Sequence, residues 1–399
     1  IQAALHYGVG HVDAVELNPV THGLVTGQFK EYAGNFVDNP AVNYVQGDGR
    51  TFLARADAKY DLVWFVAPDS YAASNAATAG AFVLSESYLY TSEMIEESWE
   101  HLTPDGMVVA QFGDFDFETR PTRTARYLVT AREAIAELRQ PGTMAAHTML
   151  MVEGNDAETD TLSFGRVTTI VLARSEISAD AADRLAAFIP AVEAGRFVHL
   201  TGHVNDVAML GGGDALASAI ITSDQARVDA LVAGYDYDIS AITDDRPFFW
   251  HFTPYSDVIR DFGRGIEDSE IAIGERLLLM LLVVAVVTAA VLLFLPFAVS
   301  RLVARRGDAD PESASGHRVA GRWRLFVYFA ALGLGFMVVE VSMIQRFALL
   351  LGYPTLSLSV SLFTLLIATA IGARISHVIG GRPARLAATV VAMWVITAL

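Results

Sequence analysis

Three acidic residues each follow a short apolar run and stand beside turn-forming residues. They are Glu16 in AVELNP, Asp48 in VQGDGR and Asp69 in FVAPDS. If the runs are parallel strands of one open sheet, their carboxyl ends form the edge where such sheets bind ligands. A carboxylate at the first position can accept both hydroxyls of a ribose, and an Asp between two glycines can reach an adenine amino group. The alternative for Asp48 and Asp69 is that each caps a following helical turn.

The elements that would position these acids come from the periodicity of residues 1–175. We predict strands over 12–17, 42–46, 60–67, 106–112 and 167–173, and helices over 1–8, 19–32, 50–57, 90–102 and 121–138. Apolar strands alternating with helices are typical of an α/β fold with a Rossmann-like, doubly wound, mostly parallel sheet. Residues 176–275 are interpreted as helices and loops that cap this sheet.

The last third of the chain has the composition of a membrane domain. Residues 277–299 are an uncharged apolar run of 23, long enough to span a bilayer. Further apolar stretches cover 325–351 and 355–373, and a fourth begins after Pro383. We therefore expect a helical transmembrane domain over 276–399, with three complete spans and part of a fourth, and the lipid bilayer as a partner. We also expect a fragment clipped at both ends.

Charge and cysteine content narrow the range of functions. The chain has no cysteine, which excludes disulfides and thiolate metal sites. The part before Arg276 holds 17 basic and 41 acidic residues, whereas the part from Arg276 onward holds 11 arginines and 4 acids. The acidic part argues against nucleic acid as a partner. It suits a small cationic substrate, although an acidic surface can also serve solubility alone.

Several motifs together resemble the polyamine aminopropyltransferase (spermidine synthase) family of S-adenosylmethionine-dependent transferases. They are AVELNP, GDGRTFL, YDLVW with APDS, and GAFVLSESYLYTSEMIEESWEHLTPDGMVVAQF. The segments TDDRPFFWHF and GLGFMVVEVSMIQRFALLLGYPTLSLSVSLF look like the membrane-embedded relatives of that family. The resemblance covers residues 1–112 and 243–375, and it implies a class I methyltransferase-like fold.

The resemblance also implies a role for individual residues. The nucleoside of decarboxylated S-adenosylmethionine, or of S-adenosylmethionine, would be held by Glu16, Asn18, Gly47, Asp48 and Gly49. Asp69 falls where the family's catalytic Asp stands, and it would accept the proton of the attacking amine. The residues expected at the substrate are Ser70, Tyr88 and Tyr90, with core packing as the alternative for the tyrosines. We expect no metal, because the sequence contains no metal-binding motif.

Two departures from the family pattern leave the activity open. The soluble enzymes carry a second Asp followed by Pro, where this chain has Ala72 and Ala73. The glycine-rich cofactor loop is missing from the fragment. Aminopropyl transfer to an amine is our first hypothesis, and S-adenosylmethionine-dependent methyl transfer is the second. The third is a non-catalytic domain that binds a nucleoside or polyamine and gates the membrane part. A homo-oligomer is left open.

The side of the membrane is predicted by two conflicting arguments. The basic linker 301–324 and the basic turn 374–385 would lie on one side, which the positive-inside rule makes cytoplasmic. That rule would put the acidic domain outside, where adenosylmethionine-type donors are not expected. We favour a bacterial inner-membrane protein with a cytoplasmic catalytic domain. Two other features have both a structural and a functional interpretation: the Asp244–Arg246 cluster, and Glu340 inside an apolar span.

Overall fold

The computed structural model describes ten stretches of the chain, which are 1–65, 86–114, 116–138, 143–153, 166–188, 195–203, 212–260, 273–306, 320–351 and 354–379. The chain divides into two compact units, one of residues 1–52 with 308–399 and one of residues 53–307. Each unit has its own sheet, and of the described membrane-type helices two lie in the first unit and one in the second.

The first unit opens with a strand–helix–strand arrangement. Its elements are α1 (Gln2–His6), β1 (Val12–Glu16), α2 (Pro19–Thr26) and β2 (Val42–Gln46), followed by α3 (Gly49–Arg55), which begins in this unit and ends in the second. The strands pair in parallel, in a register that runs from Val12 opposite Val42 to Glu16 opposite Gln46. Parallel neighbours need a crossover connection, which α2 and the turns after it provide. The predicted strands over 12–17 and 42–46 are confirmed.

The second unit continues the alternation. Its elements are β3 (Tyr60–Phe65), α4 (Ser92–Glu100), β4 (Leu102–Asp114), α5 (Thr122–Glu137), α6 (Met144–His147), β5 (Thr148–Glu153), β6 (Arg166–Ala173), α7 (Ala179–Phe188), β7 (Arg196–His199), α8 (Gly212–Thr222), α9 (Gln225–Gly234) and α10 (Tyr255–Arg260). The predicted helices over 90–102 and 121–138 are confirmed as α4 and α5. The hydroxyl of Thr91 caps α4 by accepting from the Met94 amide at 3.3 Å.

The sheet of the second unit is mixed, which corrects the prediction of a mostly parallel sheet. Its strand order is β3-β4-β6-β5-β7. Among its described strands, β3 and β4 are parallel, and the pairs β4–β6, β6–β5 and β5–β7 are antiparallel. An apolar run shows that a strand is buried, but it does not show the strand's direction. The α/β class itself is confirmed.

The core of this unit is rich in aromatic residues. The helices α4 and α5 pack against each other and against β4. Rings of Phe112 on β4 and Tyr127 on α5 lie 5.0 Å apart, and Phe249 stacks on Phe112 at 5.2 Å. Full burial of such a side chain contributes about 1.5–3 kcal/mol. The segment TDDRPFFWHF therefore supplies part of the core.

A buried arginine fixes that segment in place. Arg126 on α5 is 1% exposed. Its guanidinium donates to the carbonyls of Phe249 at 2.7 Å and His251 at 2.9 Å, and it pairs with the Asp238 carboxylate at 3.2 Å. Burial lowers the pKa of Arg126 to about 10, and the charge of Asp238 acts in the opposite direction. The guanidinium therefore stays charged at neutral pH.

Within the described stretches, three helices are long and apolar enough to cross a membrane. They are α11 (Ile273–Arg306), α12 (Ala320–Leu351) and α13 (Pro354–Ile379). Their apolar spans are Gly274–Leu292, Val327–Phe347 and Leu356–Arg374, with mean hydropathies of 2.4, 2.0 and 2.0. A helix of 19 residues is about 28 Å long, which matches a bilayer core of about 30 Å. The three predicted spans are thus helices of the length and composition that crossing a membrane requires.

The helices α12 and α13 pack side by side in the first unit. The hydroxyl of Ser357 on α13 donates to the carbonyl of Ile344 on α12. Such small polar residues allow close approach between membrane helices. The predicted partial fourth span lies outside the described residues.

Candidate functional site

Glu16 ends β1 and shapes the turn into α2. One oxygen of its carboxylate accepts a hydrogen bond from the Asn18 amide at 2.7 Å. The Asn18 side chain in turn caps α2 by accepting from the Val20 amide at 2.9 Å. Pro19 takes the first helical position, where a missing N–H is harmless. A carboxylate has about four acceptor positions, so Glu16 retains capacity for a ligand.

Asp48 stands in the tight turn between β2 and α3. The Gly47 amide donates to the Glu16 carbonyl at 3.0 Å, which ties this turn to the end of β1. The Asp48 carboxylate accepts from the Thr51 amide at 2.7 Å, so it caps α3. The capping alternative for Asp48 is therefore observed. One capping bond to one oxygen is compatible with a second partner on the same carboxylate.

The parallel pairing brings the two acids to one edge of the β1–β2 sheet. Glu16 lies opposite Gln46, and Asp48 follows Gln46 by two residues. Asn18, Gly47 and Gly49 lie in the same two turns. The five residues predicted to hold a nucleoside are thus gathered by two strands and the starts of two helices. Their part in binding stays a prediction.

An aromatic pair borders Glu16, and the sequence did not single it out. The His22 ring of α2 stacks on the Tyr44 ring of β2, with centroids 4.7 Å apart. Burial raises the pKa of the Tyr44 phenol, and the nearby charge of Glu16 raises it further. Alternation on β2 puts Tyr44 on the same face as Gln46. Because Gln46 lies opposite Glu16, this alternation is the sequence signal that could have identified Tyr44.

The predicted catalytic residue lies outside the described part of the chain. Asp69 and Ser70 follow β3, which ends at Phe65, and the next described residue is Glu86. Ala72 falls in the same interval. The structure describes the strand before this interval and the turn after it, and the roles given to Asp69 and Ser70 stay predictions.

The two tyrosines have different surroundings. Tyr90 is 1% exposed, and its ring lies 4.5 Å from Phe249 and 5.4 Å from Phe112. This is the core-packing alternative. Tyr88 is half-buried and hydrogen-bonds to Glu86; burial raises the pKa of that carboxyl, and the bond opposes the rise. Of the two, Tyr88 is the one with surface to offer a substrate.

A further acid at a strand end was missed. Asp114 ends β4, the parallel neighbour of β3, and is 2% exposed. Its carboxylate accepts from the amides of Arg123 and Thr124, each at 3.1 Å, at the start of α5. Burial raises the pKa of Asp114, while the Arg123 charge and the Thr124 hydroxyl lower it. These contacts position α5 at the carboxyl edge of the sheet. The motif GDFD after an apolar run was the available signal.

The Asp244–Arg246 cluster has structural contacts. The Asp244 carboxylate accepts from the Thr91 hydroxyl at 2.8 Å, and its amide donates to the Glu93 carboxylate at 3.0 Å. The Ser87 amide donates to the Pro247 carbonyl at 2.6 Å. The segment before α4 is therefore joined to TDDRPFFWHF. Within the described stretches, no group of three or more His, Asp and Glu residues could hold a metal ion.

No family model and no curated protein sequence matches the chain. Solved structures that resemble it include the spermidine synthase of Thermotoga maritima, with a TM-score of 0.31, 12% identity, and 56% of this chain and 61% of that chain covered. A spermidine synthase in complex with the transition-state analogue AdoDATO has a TM-score of 0.30 and 13% identity, with 56% of this chain and 60% of that chain covered. The precorrin-6y C5,15-methyltransferase of Geobacter metallireducens has a TM-score of 0.23 and 15% identity, with 41% of this chain and 67% of that chain covered. The match spans about three fifths of each spermidine synthase.

Proposed function

We propose that the chain is a membrane-anchored transferase that binds a nucleoside of the S-adenosylmethionine type beside Glu16 and Asp48. The observation that carries this proposal is the parallel β1–β2 pair, which gathers both carboxylates at one edge. Glu16 would accept the ribose hydroxyls. Asp48, between two glycines, would accept the adenine amino group, because Gly47 and Gly49 leave the approach unobstructed.

The proposed donor is decarboxylated S-adenosylmethionine, and the acceptor is a small amine. Both are cations. The part of the chain before Arg276 carries 17 basic and 41 acidic residues, and such a field raises the local concentration of cationic ligands. Loss of the donor carboxylate also removes a negative group that this field would repel.

Asp69 is proposed as the base, on the strength of the sequence resemblance. The acceptor ammonium passes a proton to the Asp69 carboxylate, and the lone pair that this leaves on nitrogen forms a bond to the aminopropyl carbon beside the sulfonium. The C–S bond breaks and its electron pair stays on sulfur, which leaves neutral methylthioadenosine. The product amine keeps the positive charge that the sulfonium carried. This role requires an ionised Asp69 within hydrogen-bond reach of the amine.

A second candidate is methyl transfer from S-adenosylmethionine itself. The observation that favours it is Ala72, which replaces the second Asp of the soluble aminopropyltransferases. The same nucleoside contacts would serve, and the product would be S-adenosylhomocysteine. A third candidate is a domain that binds the nucleoside without turnover and gates the membrane part.

Mass spectrometry of the thioether product separates these candidates. Full-length protein in detergent is given both donors and a pool of small amines. The variants are Asp69→Asn and, as a matched control, Asp61→Asn on β3, where the exposed carboxylate accepts from Thr103. Methylthioadenosine that disappears in Asp69→Asn alone supports the proposal. Detection of S-adenosylhomocysteine instead would show that the reaction is methyl transfer. Neither product, with donor still bound, would favour the gating domain.

We infer that the part of the chain proposed to bind the nucleoside faces the cytoplasm, where the donor is expected. The basic segments 301–324 and 374–385 argue for the opposite side by the positive-inside rule. That rule weakens for large domains.

A further inference from the structure

The short helix α10 lies beside the start of the first membrane-type helix. The two helices pack against each other. His251 Nδ1 lies 3.4 Å from Glu275 Oε1, in the first turn of α11. Glu275 is 0% exposed. It is one residue beyond Gly274, where the apolar span begins. The contact therefore fixes the end of TDDRPFFWHF at the level of the span's first residues.

A second contact links α10 to the same place. The Tyr255 ring lies 5.0 Å from the His251 ring. Burial raises the pKa of the Tyr255 phenol, and the charge of Glu275 raises it further. Arg126 holds the His251 carbonyl from the other side at 2.9 Å. His251 is therefore in contact with α5, α10 and α11. Because all three helices belong to the second unit, contacts within that unit fix the position of α10 relative to the start of the span.

The exposed surface of α10 includes two apolar side chains next to each other. Val258 is 1% exposed and anchors the helix in the core. Ile259 is 63% exposed and Tyr255 is 37% exposed. They are four residues apart, so they share one side of the helix. The charged residues Asp257 and Arg260 pair with each other at 2.8 Å. Exposed apolar residues are ordinary on a surface in water, but these two lie on a helix that packs against the start of a membrane-type helix.

We propose that α10 is a membrane-interface helix, whose Tyr255 and Ile259 side chains insert into the boundary between lipid headgroups and acyl chains. A Tyr at this level keeps its hydroxyl in the headgroup region and its ring in the apolar region. The spans alone do not require this contact, since it lies outside all three. The driving force is apolar burial, so the contact needs no anionic lipid. The inference is independent of the activity proposed above.

The absence of cysteine allows a direct test. Ile259→Cys in the full-length protein carries a single polarity-sensitive fluorophore, in nanodiscs of phosphatidylcholine. Leu282→Cys reports a position within the span, and Leu185→Cys on α7 reports an exposed apolar residue of the same unit. Ser256→Cys, also exposed, is a second position on α10. Each label is tested with lipids that carry a doxyl quencher near the glycerol or deep in the chain, and with iodide in water.

We expect the Ile259 label to be quenched at least threefold more by the shallow doxyl lipid than by the deep one. We expect the reverse order for Leu282, and quenching by iodide alone for Leu185. The same result is expected in lipid without net charge and with added phosphatidylglycerol. An Ile259 label that follows Leu185, or one that follows Leu282, would overturn the proposal. So would a label shielded from both iodide and lipid, which would indicate a protein partner.

Discussion

The guanidinium of Arg126 is the contact whose removal should destabilise the second unit most. It serves the carbonyls of Phe249 and His251 and the carboxylate of Asp238, all from a position 1% exposed. Methionine fills similar space but donates nothing, so a carboxylate and several carbonyls lose their partner. Removing one member of a buried ion pair costs about 3–5 kcal/mol, and the Asp238 carboxylate left behind is 28% exposed. We therefore expect Arg126→Met to destabilise the unit by about 3 kcal/mol, the lower end of that range.

Thermal unfolding of the full-length protein in detergent measures this effect through tryptophan fluorescence. For a unit of about this size, each kcal/mol shifts the melting temperature by about 2–4 °C, so a loss of about 10 °C is expected. Arg126→Lys keeps the charge but lacks the planar guanidinium, so its melting temperature should lie between those of the wild type and Arg126→Met. The matched control is Arg132→Met on the same helix, where a half-buried guanidinium donates to Ile220 and Ser223 carbonyls. A loss for Arg126→Met no larger than for Arg132→Met would refute the reasoning.

Single residues give three further predictions. Burial lowers the pKa of His199 despite its bond to the Ala145 carbonyl. Stability should therefore fall as pH drops below the unfolded value of about 6.5. His199→Gln should flatten this slope in melting scans, and an unchanged slope would contradict the assignment. Asp48→Asn should keep the α3 cap, whereas Asp48→Ala should lower the free energy of unfolding by about 1 kcal/mol. Both variants should bind the nucleoside more weakly. Equal melting temperatures of the two variants would argue against the cap. Leu185→Cys should react with an impermeant maleimide only after cell lysis, whereas labelling of intact spheroplasts would put the domain outside.

The elements that could be predicted are those whose signals are local. Apolar runs bounded by turn residues identified β1 and β2, and the Asn18-Pro19 pair marks the start of α2 in the chain itself. The membrane helices were equally clear, because an uncharged apolar run of 23 residues is long enough to cross a bilayer as one helix. The position of Glu16 and Asp48 at one edge follows directly from parallel pairing.

The features that escaped prediction depend on contacts between distant residues. The strands β5 and β7 are short and lack a regular alternation, and the reversed direction of β6 has no local signal. Arg126 finds its partners more than a hundred residues away, so nothing near it marks it as buried. Tyr90 sits in a motif that suggested a cleft, yet rings from Phe112 and Phe249 enclose it.

The central claim is that the edge beside Glu16 holds an adenosyl ligand, and calorimetric titration tests it most directly. Full-length protein in detergent is titrated with methylthioadenosine and with both sulfonium donors. Glu16→Gln is compared with Asp13→Asn, whose carboxylate lies on the opposite face of β1 and accepts from Asn43 at 2.7 Å. Hydrogen bonds to a charged group contribute about 1.5–3 kcal/mol. We therefore predict that Glu16→Gln raises Kd by about 10- to 100-fold while Asp13→Asn leaves it unchanged. Equal binding by wild type and Glu16→Gln, or no binding by the wild type, would contradict the account.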